Sequence, residues 1–324
     1  MIRLFLLGLS VLLAAGCGGS DSSAPAGSGD LVRVSIDKKN ADRLLAYYFG
    51  GYASSAGADP FETGLLQRVD GSVFLDRSAF AALHPGMVAA LDPIASDGDL
   101  GWKELVDFFQ ATYYDARNVP TSLATLETEA GFTPESGWFE VAADGVMTVA
   151  RRHVFVPEPA LREAIAQYKA RDEQVLYPIG TTVFGRHQQG EEILETTVMR
   201  KRDDGYWDYF TYDQAGQLAA ATSTEPRALK TPTQCAGCHL GSRPFEPERS
   251  FPAEAADGPH GPRAIYVPAA LRNGEIVSFF DEHRKRSDTL LGLYATLYTA
   301  ELVAQREAGT LSQEDADLLN ALGI

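Results

Sequence analysis

The middle of the chain alternates apolar and polar residues, a pattern that predicts an antiparallel sheet. The segments "MTVARRHVFV" (147–156) and "GTTVFGRH" (180–187) are rich in β-branched and aromatic residues, as strands are. The runs "EILETTVMRKR" and "YWDYFTY" flank Asp203, Asp204 and Gly205, a sequence typical of a hairpin turn. Between the first two strands, "PALREAIAQYKARDE" has the apolar spacing of a helix. We therefore predict a sheet with one inserted helix.

Both flanks of this segment have apolar residues at helical spacing. On the N-terminal side these are "NADRLLAYYFGGYA", "DRSAFAALHPGMVAAL" and "WKELVDFFQATYYDA". On the C-terminal side, "SDTLLGLYATLYTAELVAQREAG" and "SQEDADLLNALG" each begin with a Ser/Asp capping signal. The predicted fold class is α+β, with a sheet domain over 135–255 between a helical region at 31–134 and C-terminal helices at 256–324.

Two stretches of the N-terminal region, "VDGSVFLDR" and "SDGDLGWKEL", repeat the pattern Asp-Gly-x-aliphatic, and the second resembles the back half of an EF-hand loop. If Gly98 takes the sixth loop position, Glu104 takes the twelfth, but the first and third ligand positions fall on Pro93 and Ala95. The first stretch, "VDGSVFLDR", ends on Arg77 at the position where an EF-hand loop has its glutamate ligand. Because half the ligands are missing, we expect turns kept for packing rather than a calcium site, although calcium stays open.

The first residues predict export. "MIRLFLLGLSVLLAAGC" has a cation at Arg3, an apolar run too short to span a bilayer and small residues before Cys17. Residues 1–16 are read as a signal peptide. The ending resembles a bacterial lipobox, which implies acylation of Cys17; ordinary cleavage nearby is the alternative. Residues 17–30 then form a Gly/Ser-rich tether, and a lipid anchor is the expected contact with the membrane.

Composition limits the partners. The 324-residue chain carries a formal net charge of −16, which disfavours nucleic acid and anionic lipid headgroups. Its 45% hydrophobic and 22% charged residues are ordinary for a globular protein.

The segment "TPTQCAGCHLG" (231–241) holds the most specific chemistry, with Cys235, Cys238 and His239 close together. Thiol exchange favours a cysteine at a helix start after a strand, and the approach here is proline-rich. Structural zinc needs four ligands, and the chain has no second cysteine pair. A c-type haem needs two thiols and an adjacent histidine, so this chemistry is favoured over the other two. No methionine follows His239, which argues against a small electron-transfer cytochrome.

Four pieces of the chain, "RHVFVPEPALREAIAQYKA", "YPIGTTVFGRH", "GYWDYFTY" and "PTQCAGCH", resemble the cytochrome P-460 and cytochrome c′-beta family. The resemblance spans about 138–251. It implies one covalent haem c attached through Cys235 and Cys238, with His239 as the proximal iron ligand. It also implies an open distal face for small ligands such as nitric oxide, hydroxylamine or peroxide.

The predicted strands supply the distal candidates. Glu195, which resembles the family's acidic position, and Arg186 are our catalytic candidates; His187, Met199 and Arg200 are weaker ones. In the P-460 branch a lysine bonds to the haem, and the matching positions here are Gly185 and Arg186, so we expect no such cross-link.

The sequence thus predicts an exported, lipid-anchored monohaem cytochrome, read first as a small-ligand oxidoreductase. A gas-binding or electron-transfer cytochrome without turnover is the alternative, and a zinc-binding or structural lipoprotein is a more distant one. The redox partner is not indicated.

Overall fold

Short strands and helices alternate in the N-terminal part of the computed structural model, which describes residues 30–37, 41–95, 97–145, 148–171, 175–223, 228–239, 254–258, 261–265 and 289–324. The elements are β1 (Leu31–Ser35), α1 (Ala41–Ala53), β2 (Leu66–Val69), β3 (Ser72–Asp76), α2 (Arg77–Leu83), α3 (Val88–Leu91), β4 (Asp99–Gly101), α4 (Trp102–Ala116) and α5 (Leu123–Ala130). The four strands form one sheet in the order β2-β3-β1-β4. The predicted helices are confirmed, but this sheet was not predicted.

The turn that sets the register of β2 and β3 is the segment that we compared with an EF-hand. Asp70 and Gly71 have φ values of +49° and +77° and join Val69 to Ser72. Two consecutive positive φ values are typical of the tight turn that matches the twist of a hairpin. Asp-Gly between alternating apolar residues is the strongest short hairpin signal. "VDGSVFLDR" is therefore a hairpin in this fold.

A larger, seven-stranded sheet follows in the order β10-β11-β5-β6-β7-β8-β9, with every neighbouring pair antiparallel. Its strands and the helices around it are β5 (Trp138–Gly145), β6 (Thr148–Pro157), α6 (Glu158–Ala166), β7 (Thr182–Gln189), β8 (Glu192–Lys201), β9 (Trp207–Asp213), α7 (Thr233–His239), β10 (Glu254–Gly258), β11 (Gly261–Ile265), α8 (Thr289–Ala308) and α9 (Gln313–Leu322). The predicted sheet, its inserted helix and the hairpin through Gly205 are confirmed. The β10–β11 hairpin crosses the predicted boundary at residue 255 and was not predicted.

Both faces of this sheet are covered. On one face Val154, Val156 and Val183 join the main core with α6, and Phe139 contacts Tyr298 of α8 with ring centroids 5.3 Å apart. On the other face, Phe155, Phe184 and Phe210 form a second cluster with residues of α5 and the segment after it. Burial on both faces explains why β9 is buried at six of its seven positions, including the polar residues Asp208 and Thr211.

The main core continues across the predicted domain boundaries. It contains Leu45 of α1, Tyr209 of β9, Ala236 of α7 and Leu297 of α8. The helices at both ends of the chain therefore bury their apolar faces against the same set of residues as the sheet does. In the described part of the chain, no helix is both long and apolar enough to cross a membrane.

Candidate functional site

The cysteine motif lies on the short helix α7, which the core holds at its first turn. Tyr48 Oη of α1 donates to the Thr233 carbonyl at 3.1 Å, and Ala236 is fully buried. The chain enters the helix through Thr231, whose backbone N–H donates to the Ala220 carbonyl. Gln234 Oε1 accepts from the Lys230 N–H at 2.6 Å. These contacts fix the start of the helix relative to α1 and to the segment that follows β9.

Cys235 is half-buried and packs against the main core. Cys238 and His239 lie three and four residues further along the same helix. Positions separated by three and four residues are neighbours on a helix surface, so the backbone places the three motif positions on one side of α7. Cys17, predicted to carry the lipid, lies outside the described residues.

Glu195 of β8 is completely buried, and it holds the chain segment that precedes α7. Glu195 Oε2 accepts from the Ser223 backbone N–H at 2.5 Å and from Ser223 Oγ at 3.1 Å. Residue 222 is bonded in turn to Leu229, since the Thr222 N–H donates to the Leu229 carbonyl and the Leu229 N–H donates to Thr222 Oγ1. Glu195 is thus connected, through Ser223 and the Thr222–Leu229 pair, to the residues that enter the motif helix.

His187 lies directly opposite Glu195 in the β7–β8 register and is also buried. Its Nδ1 is 3.3 Å from Glu195 Oε1, and its Nε2 is 3.3 Å from Thr197 Oγ1. Burial, reinforced by the positive charge of Arg152, lowers the pKa of His187 to about 2. The adjacent carboxylate acts in the opposite direction, but the Nδ1 contact lacks hydrogen-bond geometry. The ring is therefore neutral beside a buried carboxylate.

The second catalytic candidate, Arg186, lies on the other face of the sheet. Successive residues of a strand point to opposite faces, and Arg186 Nη2 pairs with Glu127 Oε1 of α5 at 2.9 Å. Its guanidinium also lies 4.8 Å from the centre of the Phe132 ring. The structure therefore does not bring Arg186 and Glu195 together.

The weaker candidates divide in the same way. Met199 lies two register positions from Thr197, on the Glu195 face, and packs against the main core. Arg200 lies on the Arg186 face, with its guanidinium 4.9 Å from the Phe210 ring centre.

The family resemblance aligns Gly185 with a lysine, and the structure gives a steric reason for glycine at this position. A Cβ atom there would lie 2.9 Å from Thr197 Oγ1, the hydroxyl that contacts His187. That distance is shorter than a carbon and an oxygen tolerate. A lysine at position 185 would displace Thr197, whereas glycine leaves it in place.

A buried charge cluster beside β9 was missed by the sequence reasoning. Asp208 is fully buried, and its Oδ2 pairs at 2.9 Å with Nη2 of Arg117, the C-cap residue of α4. Tyr113 Oη donates to Asp208 Oδ1 at 2.6 Å and accepts from Arg202 Nη1 at 2.8 Å. Arg202 also pairs with Asp204 of the hairpin turn. A periodic pattern marks residue 208 only as a strand position, so no local signal identifies these partners.

The second EF-hand-like segment forms the start of α4. Glu104 Oε2 accepts from the N–H of the N-cap residue Gly101 at 2.8 Å, and Leu100 lies in β4, which pairs with β1. Asp99 Oδ2 accepts from Ser35 Oγ. These contacts are those of a packed turn before a helix. The calcium question stays a prediction.

A surface cleft of about 280 Å³ lies near the start of β7, at the end of the sheet away from the His187–Glu195 pair. Trp138, Glu163 and Thr181 are among the residues that line it. His187 lies near the end of β7, so the cleft is separate from the buried His187–Glu195 pair.

Comparison of the chain with models of protein families, with curated proteins and with solved structures finds no match. In its described residues, the chain is a mixed α+β protein with two sheets, one of them wholly antiparallel.

Proposed function

We propose that the protein is an exported, lipid-anchored monohaem c-type cytochrome that acts on a small nitrogenous ligand or peroxide. The observation that carries the proposal is the placement of Cys235, Cys238 and His239 at neighbouring positions of one helix. Two thiols and an imidazole are the groups that attach a haem covalently and bind its iron. The donor set on α7 therefore fits this group.

In this proposal, Cys235 and Cys238 form the two thioether bonds and His239 binds the iron. The haem supplies ligand binding and electron transfer, and the protein supplies position. Tyr48 and the loop bonds of Thr231 hold the helix that carries the attachment residues. Because Cys235 packs against the core, its attachment point lies at the core's edge. The cytochrome P-460 resemblance supports an antiparallel sheet as the other wall of the site.

Glu195 is our proposed acid–base residue. Its buried carboxyl group lies beside the neutral ring of His187, and hydrogen bonds from Ser223 fix its position for proton exchange with a ligand on this face. Arg186 faces α5 on the opposite side of the sheet. A ligand on one face meets only one of these two candidates, so we keep Glu195 in the proposed site and assign Arg186 to the packing of α5.

The first experiment tests covalent haem. The full chain is produced in cells with haem-maturation machinery, as wild type, as the double variant Cys235→Ala/Cys238→Ala and as Cys17→Ser. We expect a pyridine haemochrome spectrum and in-gel haem staining in the wild type and in Cys17→Ser, and neither in the double variant. Staining of the double variant at the wild-type level, or a wild type without haem that binds zinc, would overturn the proposal.

The same preparation separates the two kinds of cytochrome. Turnover of hydroxylamine or peroxide supports an oxidoreductase, whereas carbon monoxide binding without turnover supports the gas-binding alternative. Mass spectrometry of the proteolysed haem peptide tests the cross-link. Because residue 185 is glycine with no room for a side chain, we expect the 231–243 peptide to carry haem without a second, lysine-containing peptide.

A further inference from the structure

Buried tyrosine rings form a contiguous series that begins beside the motif helix. Tyr48, which donates to the Thr233 carbonyl of α7, has its ring centroid 5.0 Å from that of Tyr47. Tyr47 is stacked 6.2 Å from Tyr113. All three side chains are fully buried. Aromatic rings at these centroid distances are in van der Waals contact, and electron transfer between such rings is fast because tunnelling falls off exponentially with distance.

Tyr113 differs from the other two in the base that receives its hydrogen bond. Its hydroxyl donates to the carboxylate of Asp208 at 2.6 Å. Tyr48 donates to a backbone carbonyl, and the Tyr47 hydroxyl has no hydrogen-bond partner among the described residues. A carboxylate is a far stronger base than a carbonyl oxygen, so Tyr113 alone of the three has an acceptor that can take its proton.

Tyr113 also needs a proton acceptor because its side chain is buried. Burial raises the pKa of Tyr113, so the phenol keeps its proton at physiological pH. A phenol that loses an electron becomes a strong acid, and a buried cation of this kind is costly unless the proton leaves at once. Asp208 Oδ1 lies on the line of the existing hydrogen bond, and Arg117 fixes the carboxylate in place.

We propose that Tyr113 is a redox-active tyrosine, connected to the motif helix through Tyr47 and Tyr48. One electron passes from the Tyr113 phenol to a one-electron oxidant, and the phenolic proton moves from Oη to Asp208 Oδ1. The products are a neutral tyrosyl radical, a protonated Asp208 and the oxidant reduced by one electron. The inference rests on the proposed function for its natural oxidant, a peroxide-derived one-electron oxidant at α7.

Tyr206 gives the series an end near the surface. Its ring is half-exposed and lies 5.8 Å from Tyr47, centroid to centroid. A one-electron donor in solution can therefore reduce the radical through Tyr206 and Tyr47, while the proton held by Asp208 returns to Tyr113 Oη. In this role, the series removes oxidising equivalents from the site when no substrate is bound.

The test uses an oxidant that needs no haem. The full-length Cys235→Ala/Cys238→Ala protein is flashed with ruthenium tris-bipyridine and persulfate, frozen within milliseconds and measured by electron paramagnetic resonance. The comparison variants add Tyr113→Phe, which keeps the ring, or Tyr52→Phe. Tyr52 is an equally buried neighbour whose hydroxyl pairs with Thr112 Oγ1. Circular dichroism checks that each variant is folded.

We expect a long-lived neutral tyrosyl signal that is lost in Tyr113→Phe and kept in Tyr52→Phe. An unchanged signal in Tyr113→Phe, or no tyrosyl signal in the parent protein, would overturn the inference. Peroxide added to the haem-loaded wild type is expected to give the same signal. If no haem is attached but the photochemical signal depends on Tyr113, the proposed function fails and the redox role of Tyr113 stands. If haem is attached but the photochemical signal is absent, the proposed function stands and the redox role of Tyr113 fails.

Discussion

At the residue scale, the buried ring of His187 ties the stability of the sheet to pH. The pKa of this ring falls from 6.5 to about 2 on folding, because burial and then Arg152 disfavour the charged form. Between these pH values the unfolded chain binds a proton that the folded chain does not. Stability is therefore full above pH 6.5 and is lost as the pH falls, by up to about 1.4 kcal/mol per pH unit.

The variant His187→Gln removes this titration. We expect the free energy of unfolding, measured in urea from pH 7 to pH 4, to fall less steeply in the variant than in the wild type. The control His153→Gln changes a half-exposed ring on the same sheet and leaves the buried ring in place, so the contribution of His187 to the slope should remain. Equal slopes for His187→Gln and wild type would contradict the assignment of a neutral buried ring.

The residues of the candidate site differ in how far sequence could identify them. Cys235, Cys238 and His239 are adjacent in sequence and belong to a chemically specific motif, so they could be predicted without a fold. Glu195 could be named only as a polar strand residue, because its partners come from residue 223 and from the neighbouring strand. Asp208 and Tyr113 are 95 residues apart, and no local pattern connects them.

At the scale of elements, long periodic segments were predictable and short strands were not. The helices α1 and α4 show an apolar stripe over three or more turns. By contrast, β1 to β4 have only three to five residues each, and their apolar positions also fit a helix of that length. The β10–β11 hairpin was not predicted for a similar reason. Its sequence, "EAADGPHGPRAI", contains few apolar residues, and β11 pairs with β5, which is far away along the chain.

Helix α9 offers a test of a capping interaction that the sequence did predict. Ser312 Oγ accepts from the Asp315 N–H at 3.1 Å and donates to Asp315 Oδ2, while Arg162 of α6 binds Asp315 Oδ1 at 2.5 Å. The capping hydroxyl thus also orients the carboxylate that joins α9 to α6. We expect Ser312→Ala to lower the free energy of unfolding by about 1 kcal/mol or somewhat more.

The comparison variant for α9 is Ser312→Asn, because asparagine caps a helix start as well as serine does. Its free energy of unfolding, from urea denaturation, should lie within about 0.3 kcal/mol of the wild type. If the alanine and asparagine variants are equally stable, the hydroxyl does not act as a cap.

At the scale of the whole molecule, the N-terminal helices and the large sheet share one core. Leu45 of α1, Tyr209 of β9 and Ala236 of α7 belong to the same cluster, and the buried Arg117–Asp208 ion pair joins α4 to β9. Separating these parts would expose apolar surface and leave buried charges without partners, which costs several kcal/mol. The sequence boundary at residue 134 marks a change of pattern and not an end of the core.

This shared core predicts that α1, α4 and β9 unfold together. The variant Leu45→Ala removes a buried side chain of α1 and should destabilise the protein by about 2–5 kcal/mol. In hydrogen-exchange mass spectrometry across a urea series, peptides from α1, α4 and β9 should all shift to the same lower midpoint. The matched control is Leu83→Ala, since Leu83 is 45% exposed and its loss leaves the core intact. The contrary result is a loss of protection in α1 and α4 with an unchanged midpoint for β9. It would show that the N-terminal region unfolds by itself and that the position of the motif helix does not depend on Tyr48.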